Sequence, residues 1–218
     1  MERIHYYFGW FEKTIPSQLA DMLNSELADK KSLVIISTAP KDDEYNDGMM
    51  ATTKDVWFEP AGVVFENYHS IDYRVGKEEA QALIKDASAI LLHGGFPVGL
   101  KNFLAEYEMA DFIRQSRANV LMGASAGGMN MGTHFVDRRE LDVLYDGMGF
   151  DNLAFFAHAH ETVEEIQADE ATQARLATLP KDLDVYVGCE ESTLRVKGDD
   201  IMVIGDVFKI SGGKITKI

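Results

Sequence analysis

The chain of 218 residues is short of several things. It has a single cysteine, Cys189, which rules out an internal disulfide and a thiolate metal cluster. Basic residues are outnumbered, 21 Lys and Arg against 36 Asp and Glu, for a net charge of −15. Nucleic acid and anionic membranes call for a basic surface, so neither is expected as a partner. No apolar run approaches the ~18 residues of a membrane-spanning helix. Residues 1–5 show no positive segment leading into an apolar one, and a cytoplasmic location is the expectation. Repeats, low-complexity tracts and linkers are missing too, and residues 1–218 read as one domain.

What is present is ordinary for a globular chain: 46% hydrophobic and 26% charged residues, enough for a full core. Ser32-Leu33-Val34-Ile35-Ile36-Ser37 and Ser88-Ala89-Ile90-Leu91-Leu92-His93 are continuous apolar runs of the kind buried on both faces of a sheet. Residues 4–8, 63–68 and 119–122 are further strand candidates. Between them, 16–28 places Leu19, Met22, Leu23 and Leu27 on one helical face, and 46–59, 77–85 and 98–114 also read as helices. This alternation over the first ~130 residues predicts an α/β fold with a mostly parallel sheet sandwiched by helices. Ligands of such sheets bind beyond the carboxyl ends of the strands. Later, 153–157 and 184–188 read as strands and 162–179 as a helix. Turns at Gly198-Asp199, Gly205-Asp206 and Gly212-Gly213 predict a C-terminal β-meander.

One stretch organises the rest: Val120-Leu121-Met122-Gly123-Ala124-Ser125-Ala126-Gly127-Gly128. A short apolar strand running into G-x-S-x-G and then a helix is the form of a nucleophile elbow, in which only small neighbours fit around the raised serine. The plainer alternative is a serine that caps a helix after a buried strand. A serine hydroxyl needs a base to take its proton. Of six histidines, His158 and His160 follow a strand that should end on the same edge as Ser125, and alternation turns both the same way. His5 and His69 sit in aromatic-rich surroundings that suit a structural role, while His93 is held at a strand end. His158-x-His160-Glu161 could also be read as a metal-ligand motif, with two imidazoles placed together, but no third ligand is evident from spacing. For the acid that orients the base, Glu190 and Glu191 stand at a strand end, and only one of them should face the site. Gly94-Gly95, after a buried strand, and the Ala126 amide could form an oxyanion hole.

These motifs resemble the peptidase E and cyanophycinase group of serine peptidases: Gly94-Gly95 after a strand, the Gly123-Ala124-Ser125-Ala126-Gly127 elbow, Asn152-Leu153 ahead of His158, and Gly188-Cys189-Glu190-Glu191. The resemblance runs in order over nearly the whole chain. It implies a class I glutamine amidotransferase-like (flavodoxin-like) fold with serine in place of the nucleophilic cysteine, and a Ser-His-Glu triad without metal or cofactor. Carried over, Ser125 is the nucleophile, His158 the base and Glu191 the acid, with oxyanion donors at Gly95 and Ala126. Two positions depart from the family: Phe96-Pro97 stands where it has an asparagine after Gly-Gly, and Ala157 where a proline often precedes the histidine. Phe96, beside the substrate, makes the pocket partly apolar. The implied activity is cleavage of small peptides of dipeptide size through an acyl-enzyme, with a small peptide and a second copy of the chain in a homodimer as partners. A catalytically silent member of the fold that binds a metabolite or a partner is the alternative, and an esterase or amidase of like mechanism is a third reading.

Overall fold

The apolar runs form the centre of a seven-stranded sheet. The computed structural model describes residues 2–158 and 162–218. In chain order its first half is β1 (Ile4–Phe8), α1 (Ser17–Glu26), β2 (Ser32–Ile36), α2 (Asp43–Ala51), β3 (Asn67–Ile71), α3 (Lys77–Asp86), β4 (Ala89–Leu92), α4 (Pro97–Glu106), α5 (Met109–Gln115), β5 (Val120–Ala124) and α6 (Ala126–Met131). The second half is β6 (His134–Phe135), β7 (Tyr145–Asp146), β8 (Ala154–Phe156), α7 (Val163–Ala168), α8 (Glu170–Thr178), β9 (Val185–Gly188), β10 (Thr193–Lys197), β11 (Asp200–Ile204), β12 (Val207–Ser211) and β13 (Lys214–Lys217). The large sheet has the order β11-β10-β1-β5-β4-β2-β3. Its five members from β1 to β3 are parallel, and the β10–β11 hairpin closes one edge antiparallel. This is the expected α/β sheet.

Alternation along each strand divides the core in two. Val34, Ile36, Ile90, Leu92 and Leu121 face one side, where α3, α4 and α5 supply Ala80, Ile84, Leu100, Phe103 and Ile113. Leu33, Ile35, Leu91, Val120 and Met122 face the other, covered by Leu19 and Leu23 of α1 and by Trp57 and Phe58. Among the described residues no helix is long and apolar enough to cross a membrane.

Several elements differ from the expectation. The helix expected over 46–59 starts at Asp43 and continues past α2 through a wider π-helical stretch, Thr52–Phe58. The helix expected over 98–114 is two: the chain breaks at Glu108, whose φ of 52° is left-handed. That over 162–179 is also two, parted at Asp169, whose extended backbone and side chain cap α8 by accepting from the Thr172 amide. The strand expected at 63–68 forms at β3 instead, with Val63 and Phe65 buried beside it. The C-terminal strands are shared between two sheets. β10 and β11 join the large one, whereas β12 and β13 extend a second sheet of order β13-β12-β9-β8, in which β8 and β9 are parallel.

Candidate active site

Ser125 stands on the turn between β5 and α6, at φ 46° and ψ −107°. Its amide donates to the Phe8 carbonyl (2.8 Å) and its carbonyl accepts from the Met129 amide (3.0 Å), so both ends of the residue are held. The turn is tight because α6 starts against the neighbouring strand: a Cβ on Gly127 would fall on the Leu92 carbonyl. Register sets the edge. Leu92 pairs with Gly123, so two residues further on Gly94 is level with Ser125, and a Cβ on Gly94 would lie 3.5 Å from the Ser125 Cβ.

His158 arrives from the second sheet. It follows β8 at φ 59°, and its Nε2 lies 2.8 Å from Ser125 Oγ. Its Nδ1 lies 2.5 Å from Glu190 Oε1. With Nδ1–H donating to the carboxylate, Nε2 is left to accept the serine proton. The resemblance implied Glu191 as the acid, whereas the carboxylate beside His158 in this structure belongs to Glu190. The cause is the turn at 189–192, closed by the Ser192 amide donating to the Cys189 carbonyl (3.3 Å), in which Glu191 takes φ 58° and donates its own amide to the Trp10 carbonyl (3.0 Å). That left-handed position turns the chain between the two glutamates, and it is Glu190 that faces the imidazole. Of four non-glycine residues with positive φ among the described residues, three are Ser125, His158 and Glu191. Such conformations cost on the order of 1–3 kcal/mol each and gather at functional sites.

Opposite Ser125 is Gly94-Gly95. The Gly94 amide donates to Nδ1 of His93 (2.7 Å), and the Gly94 carbonyl accepts from Thr38 Oγ1 and from Tyr45 OH, both at 2.7 Å. His93 is therefore a buried support. Its ring stacks on Trp57 (centroids 5.4 Å apart, planes 11° apart), with Trp10 edge-on. Burial lowers its pKa to about 4, against a smaller raising effect from the Gly94 contact. Among the described residues the amides of Gly95 and Ala126 have no main-chain acceptor. Phe96 is 43% exposed, and the Arg139 guanidinium lies 4.5 Å over its ring centroid.

These groups surround a cleft of about 360 Å³, lined among others by Gly95, Ser125, Ala126, Met129 and His158. Three arginines that the sequence did not mark for a site complete it: Arg138, Arg139 and Arg175, with Asp137. Arg138 and Arg139 belong to the charged run Asp137-Arg138-Arg139-Glu140. Arg175, on α8, is 3% exposed; its Nε donates to the Val136 carbonyl (3.0 Å) and its guanidinium sits 3.6 Å over the Phe156 ring centroid. Among the described residues no carboxylate lies within ion-pair reach of it. Burial, and secondarily the charge of Arg138, bring its pKa down to about 10.

The other histidines lie elsewhere. His5 Nδ1 is 2.8 Å from Asp151 Oδ2, His134 is paired with Asp146, and His69 is in β3. His160 and Glu161 lie outside the described residues. Among the described residues no three His, Cys, Asp or Glu side chains are grouped to hold a metal ion.

A parallel α/β sheet with a serine raised on a strained turn at its carboxyl edge has the architecture of an enzyme with a nucleophile elbow. The chain belongs to peptidase family S51, which residues 9–204 match, and is accordingly a peptidase of the serine type. Its fold is similar to that of a peptidase from an acI-B1 Actinobacterium, at 20% identity and a TM-score of 0.73, over 100% of this chain and 98% of that one. It is also similar to a putative peptidase E protein from Listeria monocytogenes EGD-e, at 13% identity and a TM-score of 0.65, over 94% of this chain and 98% of that one. No curated protein matches the sequence.

Proposed function

We propose that this protein hydrolyses small peptides through an acyl-enzyme on Ser125. The observation that carries the reading is the unbroken line from Ser125 Oγ through His158 (2.8 Å) to Glu190 (2.5 Å). His158 Nε2 takes the proton as Oγ attacks the scissile carbonyl, and gives it to the leaving amine as the tetrahedral adduct collapses. Glu190 holds the tautomer and stabilises the imidazolium. The Gly95 and Ala126 amides receive the oxyanion. Water, activated by the same imidazole, then releases the acyl group. A silent member of the fold would not need a serine and an imidazole in hydrogen-bond contact.

The cleft supports a short substrate, since 360 Å³ is near the lower end of the ~300–1,000 Å³ typical of small-molecule pockets. Its charge supports an acidic one. Its described lining holds three arginines, Arg138, Arg139 and Arg175, and one carboxylate, Asp137, and Arg175 is a buried cation that an incoming carboxylate would offset. A dipeptide panel with acidic and neutral N-terminal residues tests this. Ser125→Ala is expected to lower turnover by ~10³-fold or more with the fold intact, and a fluorophosphonate probe to label the wild type alone. Equal hydrolysis by both proteins would overturn the reading, and a preference for neutral dipeptides would overturn the acidic specificity.

A further inference from the structure

The peptide between Gly94 and Gly95 is flanked by the two residues whose backbones rotate most freely, so nothing intrinsic decides which way its plane faces. Its orientation is nevertheless held. The carbonyl side receives two hydroxyl donors, Thr38 Oγ1 and Tyr45 OH, each at 2.7 Å, which occupies both lone pairs of the oxygen. In a trans peptide the C=O and N–H point in opposite directions. The Gly95 N–H is thereby turned away from the hydroxyls. The cleft is lined by Gly95, Ser125 and Ala126, and not by Thr38 or Tyr45. Gly95 itself has φ 125°, and a Cβ there would fall on the Tyr45 and Thr38 oxygens. The glycine that makes room for the hydroxyls is the one that would let the peptide flip without them.

Both hydroxyls are delivered by the fold. β2 pairs with β4 so that Ile36 is beside Leu92, and two residues on Thr38 is level with Gly94. Tyr45 stands in the first turn of α2, where Asp42 accepts from its amide (3.0 Å). Hydroxyl donors on the carbonyl also polarise the peptide, which strengthens its N–H as a donor.

We propose that Thr38 and Tyr45 are positioning residues for the peptidase reaction: by anchoring the Gly94 carbonyl they aim the Gly95 N–H at the oxygen that becomes negative when Ser125 attacks. The proposal rests on the serine-peptidase reading above. Neither side chain touches substrate, so their loss is felt in the transition state and not in ground-state binding.

The test compares wild type, Thr38→Val, Tyr45→Phe and the double variant in hydrolysis of p-nitrophenyl acetate and in inactivation by diisopropyl fluorophosphate. The double variant is expected to lose about 10–100-fold in kcat and in the inactivation rate, less than the direct removal of an oxyanion donor, with KM within about twofold. Thr38→Ser is expected to recover most of what Thr38→Val loses. Unchanged kcat in the double variant, or a rise in KM alone, would overturn the proposal. If the double variant does not fold, the two single variants decide by the same criteria. Ser125→Ala, assayed alongside, separates the two readings: equal rates in it and the wild type bring down the peptidase reading and this proposal with it. Loss in Ser125→Ala with none in the hydroxyl variants brings down this proposal alone.

Discussion

The Arg139 guanidinium lies 4.5 Å over the ring of Phe96, so the exposed side chain between Gly95 and Pro97 of the cleft lining also holds one of the lining cations. An exposed cation–π contact is worth only ~0.5–1 kcal/mol. Phe96→Leu should therefore leave stability nearly unchanged. It should raise KM several-fold for an aspartyl dipeptide but not for a leucyl one, with kcat preserved in both. Steady-state kinetics on the two dipeptides check this, and an equal change in both would show that Phe96 contributes only apolar surface.

Glu190 and Glu191 are adjacent in sequence and different in geometry. Glu190→Gln removes the charge beside His158 and is expected to cut kcat/KM by ~10²–10⁴-fold, the scale seen when a triad carboxylate is neutralised. Glu191→Gln should stay within a factor of a few. Glu191→Gly suits the φ of 58° better than glutamate does, and should raise stability by up to ~1 kcal/mol in urea unfolding. The opposite ranking of the two Gln variants would return the role to Glu191.

His93 should make the fold sensitive to acid. Its pKa in the folded protein is about 4, against ~6.5 in an unfolded chain. Between these values the unfolded chain binds a proton that the folded one does not, so stability rises with pH across the window. It is fully present above pH ~6.5 and falls by about 3 kcal/mol as pH drops to 4. His93→Phe, which keeps a ring against Trp57, should flatten that slope by close to one proton in denaturant titrations at several pH values. An unaltered slope would mean that other groups produce the acid sensitivity.

The parallel sheet was legible because β2 and β4 are uninterrupted apolar runs, and the serine turn because small residues crowd around Ser125. These are local signals. The breaks at Glu108 and Asp169 were not legible, since neither carries the glycine or proline that usually marks one. The acid of the site was harder still. Strict alternation says that Glu190 and Glu191 face opposite ways without saying which faces inward. The answer depends on Trp10, about 180 residues away in sequence, whose carbonyl receives the Glu191 amide and shapes the turn. Arg175 was hidden for a similar reason. Nothing on a polar helix announces that one arginine is buried over Phe156.

The line from Ser125 to Glu190 crosses between two sheets. The serine rides on β5 in the large sheet, while the histidine and the glutamate follow β8 and β9, which are paired with each other in the small one. Glu190 itself lies in the turn that leads from β9 back to β10 of the large sheet, a turn tied to the Trp10 carbonyl, so the carboxylate is anchored on both sides of the line while the histidine reaches Oγ across 2.8 Å. The two sheets meet in one shared apolar cluster, in which Tyr7 and Leu194 of the large sheet pack with Phe155, Tyr186 and Val207 of the small one. The spacing between serine and histidine is thus set by apolar packing behind the site, at residues no substrate reaches.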